Sequence, residues 1–350
     1  MTDRCIIISR IGAQVRYLLL SDIHSNLEAL EKCLELSAGR YDRAVCLGDL
    51  VGYGPDPNAV ISCARQLTDV IIRGNHDKAC AGLSDAEDFN ALAKFATLWT
   101  RQELTPDNLD FLRKLPSGPR LMEGFELVHG SETDEDEYIV SATQALPALR
   151  RLTVQLAFFG HTHHQGGFVL HPAGRFENVQ CFSETDGQTL VLRVENGGRY
   201  LINPGSVGQP RDGDWRAAFA IYDDQSREIE YYRTAYDLPA TQKKMGKANL
   251  PEPLIRRLEY GRWPASDGRS ARLLDNAVLA APRARLQRGR RPRGGRLLCR
   301  HARRCRGSRR LRRGAPAAGP HCAPVLVLVR GRLLERPLSA DRRGLAGTRG

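Results

Sequence analysis

Short apolar runs alternate with helical patterns over the first two thirds of the chain. The runs are continuous and rich in β-prone residues, which is typical of strands covered on both faces. They occupy residues 17–20, 44–47, 70–72, 125–128, 156–159 and 199–202. Between them, apolar positions at helical spacing predict helices over 27–37, where Asn26 can act as the N-cap, over 59–67 and over 85–99. Strands that alternate with helices predict an α/β domain.

Metal-binding side chains follow the first five runs. They are Asp22 and His24, Asp49, Asn75 and His76, His129, and His161 and His163. The carboxyl ends of strands in an open α/β sheet lie along one edge, so we expect these side chains to meet there. Imidazole with carboxylate and amide oxygen suits a transition metal, and a structural zinc site built on cysteines is not indicated. The set is large enough for two adjacent divalent cations around a shared carboxylate, for which Asp49 is the candidate.

Such a pair of cations predicts hydrolysis at phosphorus. Two cations about 3.5–4 Å apart can bind one hydroxide and stabilise the attacking and leaving oxygens of an in-line displacement. His76 directly follows Asn75, and we therefore expect it to point past the metals and assist the leaving group, with its ring oriented by Asp49 or Asp77. The predicted catalytic residues are His76 and Asp49.

These motifs resemble those of the calcineurin-like metallophosphoesterases, and within that family they most resemble the bacterial phosphodiesterase-like subgroup. The resemblance covers about residues 17–232 and includes every ligand position. It rests on Asp22-x-His24, Gly48-Asp49-x-x-Gly52-Tyr53-Gly54, Gly74-Asn75-His76-Asp77, His129 and Gly160-His161-x-His163, with the stretches 50–57 and 203–211 in support.

The resemblance implies a four-layer α/β/β/α sandwich of two mixed sheets, with a dinuclear metal site at the carboxyl ends of the strands. The first metal would be held by Asp22, His24, Asp49 and His163, and the second by Asp49, Asn75, His129 and His161. His76 would be the catalytic histidine. The implied substrates are phosphate esters, mostly diesters. Manganese is the expected metal, and iron, zinc and nickel also suit these ligands.

Four further residues are candidates for substrate contact, each with an alternative. Tyr53 would pack against substrate or only shield the metals. Asn203 and Ser206 would form a substrate loop, support the site from below, or be a simple turn. Arg211 would bind phosphate or be a solvated surface cation. Five acids within residues 132–137 depart from the family pattern, and we expect them to repel polyanionic substrates.

Charge divides the chain near residue 265. Residues 1–265 carry 29 Lys and Arg against 36 acids, whereas residues 266–350 carry 23 Arg, no Lys and 4 acids. The second part also lacks Phe, Trp, Tyr, Ile and Met. We expect an N-terminal extension over 1–14, a catalytic domain over 15–240, a linker over 241–265 and an Arg-rich low-complexity tail over 266–350. The tail is expected to be disordered.

Three origins of the tail are open: an arm for nucleic acid, a solvated segment without a partner, or out-of-frame translation of GC-rich DNA. The absence of Lys and of aromatic residues fits the third best, so a nucleic-acid partner is not expected.

The remaining features indicate a cytoplasmic enzyme without a membrane partner. Nine cysteines without a Cys-x-x-Cys pair predict reduced thiols. Residues 5–20 are interrupted by Arg10, Gly12 and Arg16, which argues against a signal peptide or membrane span. The predicted function is hydrolysis of a small phosphate ester or nucleotide, most simply a diester. A phosphomonoesterase such as a protein phosphatase, a diadenosine polyphosphate hydrolase, a non-catalytic scaffold and a nucleic-acid binder remain alternatives. Oligomeric state is left open.

Overall fold

The computed structural model describes residues 14–183 and 185–262. The predicted tail over 266–350, and all but the last residue of the predicted extension over 1–14, lie outside the described residues. The strands are β1 (Arg16–Leu20), β2 (Arg43–Cys46), β3 (Arg120–Leu121), β4 (Phe125–Leu127), β5 (Leu156–Phe158), β6 (Gly166–Leu170), β7 (Phe176–Gln180), β8 (Gly187–Arg193), β9 (Arg199–Asn203), β10 (Ala217–Asp223) and β11 (Glu228–Thr234). The helices are α1 (Leu27–Ser37), α2 (Pro57–Leu67), α3 (Asn75–Cys80), α4 (Ala91–Glu103), α5 (Pro106–Lys114), α6 (Ala142–Arg151), α7 (Leu238–Lys247) and α8 (Glu252–Tyr260).

The strands form two mixed sheets. The first has the order β2-β1-β10-β11-β8, in which β1 runs parallel to β2 and antiparallel to β10. The second has the order β3-β4-β5-β9-β6-β7, with β4, β5 and β9 parallel to one another. Four of the parallel strands, β1, β2, β4 and β5, precede predicted ligands. The two mixed sheets with their helices confirm the predicted α/β fold.

Alternation along single strands separates the layers. On β1, Leu18 and Leu20 pack toward α1 and α2, whereas Tyr17 and Leu19 pack between the sheets. Similarly, Phe158 on β5 faces the space between the sheets. The apolar surface between β5 and α6 is formed by Ala157 together with Ala145, Ala148 and Leu149. The three apolar clusters therefore separate four layers: helices, first sheet, second sheet and helix. Each buried Leu or Phe in them contributes about 1.5–3 kcal/mol to stability.

Most predicted elements are present, and two differ. The run over 70–72 forms only a bridge between Ile71 and Cys46 at the edge of the first sheet, because the chain turns into the 74–77 loop directly afterwards. The helix predicted over 85–99 begins at Ala91, because the Asn90 side chain caps it by accepting from the Leu92 and Ala93 amides. Residues 84–90 are therefore free to border a cavity.

The predicted linker over 241–265 is corrected by the structure. Most of it belongs to α7 and α8, whose apolar side chains pack on α4 and on Tyr53. The buried residues Met245, Leu254 and Leu258 make this packing, and polar residues elsewhere on the two helices gave the segment its linker-like composition. Among residues 14–183 and 185–262, no helix has the length and apolarity needed to cross a membrane.

Candidate metal centre

The structure brings the predicted ligands together in two groups that share one carboxylate. Asp22, His24, Asp49 and His163 each place a ligand atom within 4.8 Å of the others, and so do Asp49, His129 and His161. All six residues are buried. The seventh, Asn75, lies beside the second group, with its Oδ1 3.3 Å from Nε2 of His129.

Backbone strain is concentrated on these ligands. Asp22, His24, Asp49, His161 and His163 have φ between 48° and 64°, the left-handed region that residues other than glycine rarely occupy. Each such residue costs on the order of 1–3 kcal/mol, and such strain is found mainly at functional sites. The three loops that carry these residues are therefore held in place for the position of their side chains.

Main-chain carbonyls orient three of the imidazoles. In each case Nδ1 meets a carbonyl oxygen, which assigns the proton to Nδ1 and leaves the Nε2 lone pair toward the other ligands. The pairs are His24 with Val51 at 3.0 Å, His129 with Leu47 at 2.7 Å and His163 with Gln209 at 2.6 Å.

The donor atoms that face inward fit cations. Nε2 of His24 and Nε2 of His163 are 3.1 Å apart, and with both protons on Nδ1 two lone pairs face each other. Oδ2 of Asp49 lies 3.5 Å from Nε2 of His24 and 3.4 Å from Nε2 of His129 without an aligned hydrogen bond. Nε2 of His161 is likewise buried without a partner among the described residues. Buried polar atoms that lack partners are costly, and a bound cation would satisfy them.

Charge within the cluster agrees with this arrangement. Burial lowers the pKa of His24, His161 and His163 well below the ordinary value, so these rings are neutral donors. Burial also opposes protonation of His129, but the Asp49 carboxylate outweighs it and raises the pKa of that ring to about 10. Without a cation Nε2 of His129 therefore carries a proton, and binding of a cation would release it. Although burial disfavours the charged form of Asp49, the nearby histidines hold its pKa well below the ordinary value. Asp49 is thus an anion around which the cluster is organised.

Hydrogen bonds fix the two carboxylates. Asp22 accepts from the Ser21 hydroxyl at 2.7 Å and from the His161 amide at 3.1 Å. Oδ1 of Asp49 accepts from the His76 amide at 2.8 Å, which leaves Oδ2 for the ligand cluster. Each carboxylate is therefore held by a neighbouring ligand loop.

His76 stands next to the cluster and faces the adjacent cavity. Its ring packs against His24 at 5.0 Å, Tyr53 at 4.4 Å and Phe89 at 4.6 Å between centroids. Gly52 makes room for it, because a Cβ there would lie 2.7 Å from Nδ1. Burial lowers the pKa of His76 to about 4, despite the opposing charge of Asp49.

The predicted orientation of His76 by Asp49 or Asp77 is wrong. Nδ1 of His76 has no hydrogen-bond partner within the described residues, and Asp49 bonds the His76 amide, not the ring. The carboxylate of Asp77 accepts from the amides of Val51 and Gly74, so it caps α3 and joins two ligand loops. Packing against aromatic rings is what orients His76.

A cavity of about 440 Å³ opens beside the ligands. Asn75, His76 and His161 lie on its wall. Three aromatic residues, Tyr53, Phe89 and Tyr138, line it as well. The ring of Tyr138 lies only 3.8 Å from that of His161, centroid to centroid. Tyr53 thus both shields the ligands and faces the cavity, so the two interpretations of this residue do not exclude each other.

Arg211 is on the cavity wall and is not a solvated surface residue. Its guanidinium carbon lies 5.9 Å from the centre of the Tyr53 ring, and one terminal nitrogen donates to Gln209 at 3.4 Å. Its buried Nε has no partner among the described residues, and its guanidinium group also meets the Tyr138 hydroxyl on the cavity wall. Arg211 is available for an anion in the cavity.

Asn203 and Ser206 do not line the cavity, and of the three interpretations of these residues the structure agrees with support of the site from below. Both are fully buried beneath the ligand loops. Asn203 donates to the carbonyl of Gly160 and to the Thr162 hydroxyl, both at 3.0 Å. Ser206 donates to the Asp22 carbonyl at 2.8 Å. They support the loops that carry Asp22, His161 and His163.

The acidic run over 132–137 is largely paired with basic residues, so its predicted repulsion of polyanions is not supported. Glu135 forms an ion pair with Arg73 at 2.9 Å and another with Lys78 at 2.9 Å, and Asp136 pairs with Lys78 at 3.0 Å. Glu132 pairs with Arg151. These contacts anchor the loop that places Tyr138 over His161.

Sequence reasoning missed three residues on the cavity wall: Phe89, Tyr138 and Arg257. Phe89 was assigned to a helical core face, and Tyr138 follows the acidic run without a motif of its own. Arg257 lay in the supposed linker. The helical spacing of Leu254, Ile255 and Leu258 is the signal that could have indicated a packed helix at this position.

The chain is similar to several known proteins. The model of the calcineurin-like phosphoesterase superfamily domain matches residues 15–227. An uncharacterized protein of Methanocaldococcus jannaschii is 33% identical over 267 residues, which are 70% of this chain and 97% of that protein. A metallophosphoesterase structure from Sphaerobacter thermophilus has a TM-score of 0.60 and 39% identity, and the match covers 71% of this chain and 99% of the other. A hypothetical protein from Pyrococcus horikoshii OT3 shares the fold, with a TM-score of 0.57, 21% identity and coverage of 71% and 100%.

Proposed function

Because the chain belongs to the calcineurin-like phosphoesterase superfamily, whose members hydrolyse phosphoric esters, we propose that it is a metal-dependent phosphodiesterase acting on a small molecule or nucleotide. The observation that carries this proposal is the aromatic-lined cavity beside the ligand cluster. It offers space for the organic group on the far side of the phosphate.

The ligand cluster would hold two divalent cations. Asp22, His24, Asp49 and His163 would bind one, and Asp49, Asn75, His129 and His161 the other. When bound, the cations supply Lewis acidity, which acidifies water and offsets negative charge at phosphorus. The mixture of imidazole and oxygen donors is compatible with manganese, which is our choice of metal for the first assay.

His76 would assist the leaving group. Its ring lies between the cluster and the cavity, and the packing of Tyr53 and Phe89 fixes the ring plane. A neutral imidazole N–H can donate to an ester oxygen without an imidazolium being formed first. His76 would therefore stabilise charge on the departing oxygen by donating a hydrogen bond, and its ring would keep the proton.

The cavity wall favours a diester over a monoester. Tyr53, Phe89 and Tyr138 can contact an aromatic or aliphatic ester group, which gives binding energy that a small monoester cannot use. The exposed acids Asp85 and Asp88 border the same cavity and disfavour additional negative charge near its mouth. A diester carries one charge at phosphorus, whereas a monoester carries up to two.

The test compares two chromogenic esters on the full-length chain. Protein freed of metal and then supplied with Mn²⁺ is assayed with bis-p-nitrophenyl phosphate and with p-nitrophenyl phosphate. We expect metal-dependent turnover with a higher kcat/KM for the diester. Asp49→Asn removes the shared charge and should reduce kcat/KM by about 10³-fold or more. The matched control Asp69→Asn, at an exposed carboxylate, should be unchanged.

Each outcome decides between functions. Preference for the monoester would replace the diesterase proposal with a phosphomonoesterase. Absence of turnover of both esters, in a folded chain that binds two metal ions, would contradict the proposed reaction on simple esters.

A further inference from the structure

A second cavity, of about 390 Å³, adjoins the cavity beside the ligand cluster. Val140, Thr162 and Arg211 lie on the walls of both, whereas His76 lines the first cavity and not the second. A diester has two organic groups, and the group that leaves is the one beside His76. This step rests on the proposed function. The second cavity is therefore placed for the group that stays on phosphorus.

The apolar part of the second cavity comes from the second sheet and the loop before α6. Ile139, Phe159 and Phe168 lie on its wall, and all three are buried in one apolar cluster. Gly167 borders the cavity as well, with φ of 144°, and a Cβ there would lie 2.4 Å from the Leu201 carbonyl oxygen. Glycine is thus required at this point of β6, and a residue without a side chain leaves room beside Phe168.

The rim of the second cavity is polar and aromatic. Asn178 and Gln180 line it from β7, the edge strand, and because they are two residues apart their side chains lie on one face. Phe182 follows that strand and is 79% exposed, the most exposed large apolar side chain of the described residues. Proteins bind bases by stacking them on aromatic rings and by hydrogen bonds to the base edges, and amide side chains offer both a donor and an acceptor. This rim therefore suits a nucleobase.

Charge distinguishes the two cavities. The wall of the first carries acidic and basic side chains in equal number: Asp85, Glu87, Asp88, Asp136, Lys78, Arg211, Arg257 and Arg262. The second has one acid, Asp212, which pairs with Arg233. Its cations are Arg262, which is exposed, and Arg211, which lies where the two cavities meet. Apart from His164, whose ring bonds the Arg211 carbonyl, the rest of the second wall is neutral, as an uncharged base requires.

We propose that the second cavity binds the base of a nucleoside that remains on phosphorus, with the ring stacked on Phe182 and its polar edge bonded by Asn178 and Gln180. The substrate class is then a phosphodiester in which one ester group is a nucleoside and the other leaves through the first cavity. Hydrolysis breaks the P–O bond to the leaving group and forms a P–O bond to the oxygen of water. The leaving oxygen takes one proton of that water, and the product is a nucleoside monophosphate. Phe182, Asn178 and Gln180 determine specificity in this assignment and take no part in bond cleavage.

The experiment compares two p-nitrophenyl esters that differ only in the base. One is the ester of thymidine 5′-phosphate, and the other is the same ester of 1,2-dideoxyribose 5-phosphate, which has hydrogen in place of the base. On the full-length Mn²⁺-loaded chain, we expect the base to lower KM by about tenfold or more, with kcat within about threefold. Phe182→Ala should abolish this advantage and leave the kinetics of the abasic ester unchanged within about twofold. Gln180→Met, which is similar in size, should lose about threefold of it, because the amide hydrogen bond is removed.

Phe95→Ala is the matched control, because Phe95 is an exposed phenylalanine on α4 that lines neither cavity. It should behave as the parent chain does. Binding of thymidine and of adenosine, which have no phosphate ester to hydrolyse, gives a second readout by calorimetry on the same Mn²⁺-loaded chain. Phe182→Ala should weaken this binding by about tenfold, and Phe95→Ala should not.

The outcomes separate this inference from the proposed function. If the parent chain hydrolyses both esters with equal KM, or if Phe182→Ala and Phe95→Ala agree in both readouts, the base site is refuted. If Phe89→Ala removes the advantage of the base and Phe182→Ala does not, the base lies in the first cavity and the inference is overturned. If the parent hydrolyses neither ester and the nucleosides still bind in a Phe182-dependent way, the reaction assignment is refuted and the base site stands. A loss of kcat equal for both esters in Phe182→Ala would make Phe182 a structural residue and would also overturn the inference.

Discussion

Gly74 offers a direct test of how closely the shared carboxylate is held. A Cβ added at Gly74 would lie 2.1 Å from Oδ1 of Asp49 and 2.4 Å from the Asp49 amide nitrogen. The backbone of Gly74 is extended, with φ near −97°, so alanine is allowed there in every other respect. Gly74→Ala is therefore a steric probe of Asp49 alone.

The size of the effect follows from these distances. Ordinary Cβ contacts begin near 3.4 Å, and the opposed atoms are backbone and a carboxylate held by the His76 amide. The Asp49 carboxylate must therefore move by about 1 Å, and a misplacement of that size costs about 10²-fold in rate. Since Asp49 belongs to both ligand groups, the same shift should weaken both metal sites.

The assay combines kcat/KM for bis-p-nitrophenyl phosphate with the metal content of the purified chain. We expect a loss of about 10²-fold or more in kcat/KM and fewer than two metal ions per chain. Gly246→Ala is the control, because a Cβ at Gly246 meets no atom within 4 Å. An alanine in α7 should leave activity unchanged and raise stability by about 0.5–1 kcal/mol. Two metal ions and activity within about threefold of the parent in Gly74→Ala would refute the argument, since its premise is the rigidity of Asp49.

Two further predictions concern stability. Chelation should lower the melting temperature, because metal binding offsets the facing imidazole lone pairs. With free metal 100-fold above its dissociation constant the shift per site should be about 5–10 °C by calorimetry, and an unchanged melting curve would contradict cation binding in the cluster. Burial raises the pKa of Glu126, so the folded chain binds the carboxyl proton more tightly than the unfolded chain does. The resulting contribution to the free energy of unfolding is fully present below about pH 4 and is lost as the pH rises through the raised pKa. Glu126→Gln should therefore gain in unfolding free energy relative to the parent as the pH rises from about 4 to about 8. A difference that is independent of pH would show that the pKa of Glu126 is the same in the folded and unfolded chains, which would contradict the prediction.

The ligand positions could be predicted because several weak signals coincide. Asp22, Asp49 and His161 each end an apolar run, and parallel strands bring such ends to one edge. Neither Asp nor His predicts a metal alone, but a register fixed by buried strands leaves few other places for them. The N-cap at Asn26 was predictable for a similar reason, because its hydrogen bond to the Ala29 amide depends only on local sequence.

The cavity could not be predicted because its wall is built from distant segments. Tyr138 reaches His161 only because Arg73 and Lys78 hold Glu135, and nothing near Glu135 in the sequence shows those partners. The ion pairs also neutralise acidic charges of the 132–137 run, which from composition alone were expected to repel polyanionic substrates.

Strain and ligation explain each other at this site. Left-handed backbone angles in a ligand loop are unfavourable, and they persist only where other contacts hold the loop. Ser206 holds the Asp22 loop and Asn203 holds the Gly160 loop by hydrogen bonds to main-chain carbonyls. Both supporting residues lie in the 203–211 stretch, far from the ligands in sequence. Asn203 and Ser206 are therefore expected to be needed for metal binding, although neither lies on the wall of the cavity. We infer that Asn203 and Ser206 contribute to the site by stabilising the left-handed backbone angles of the ligand loops, which would otherwise relax to more favourable angles.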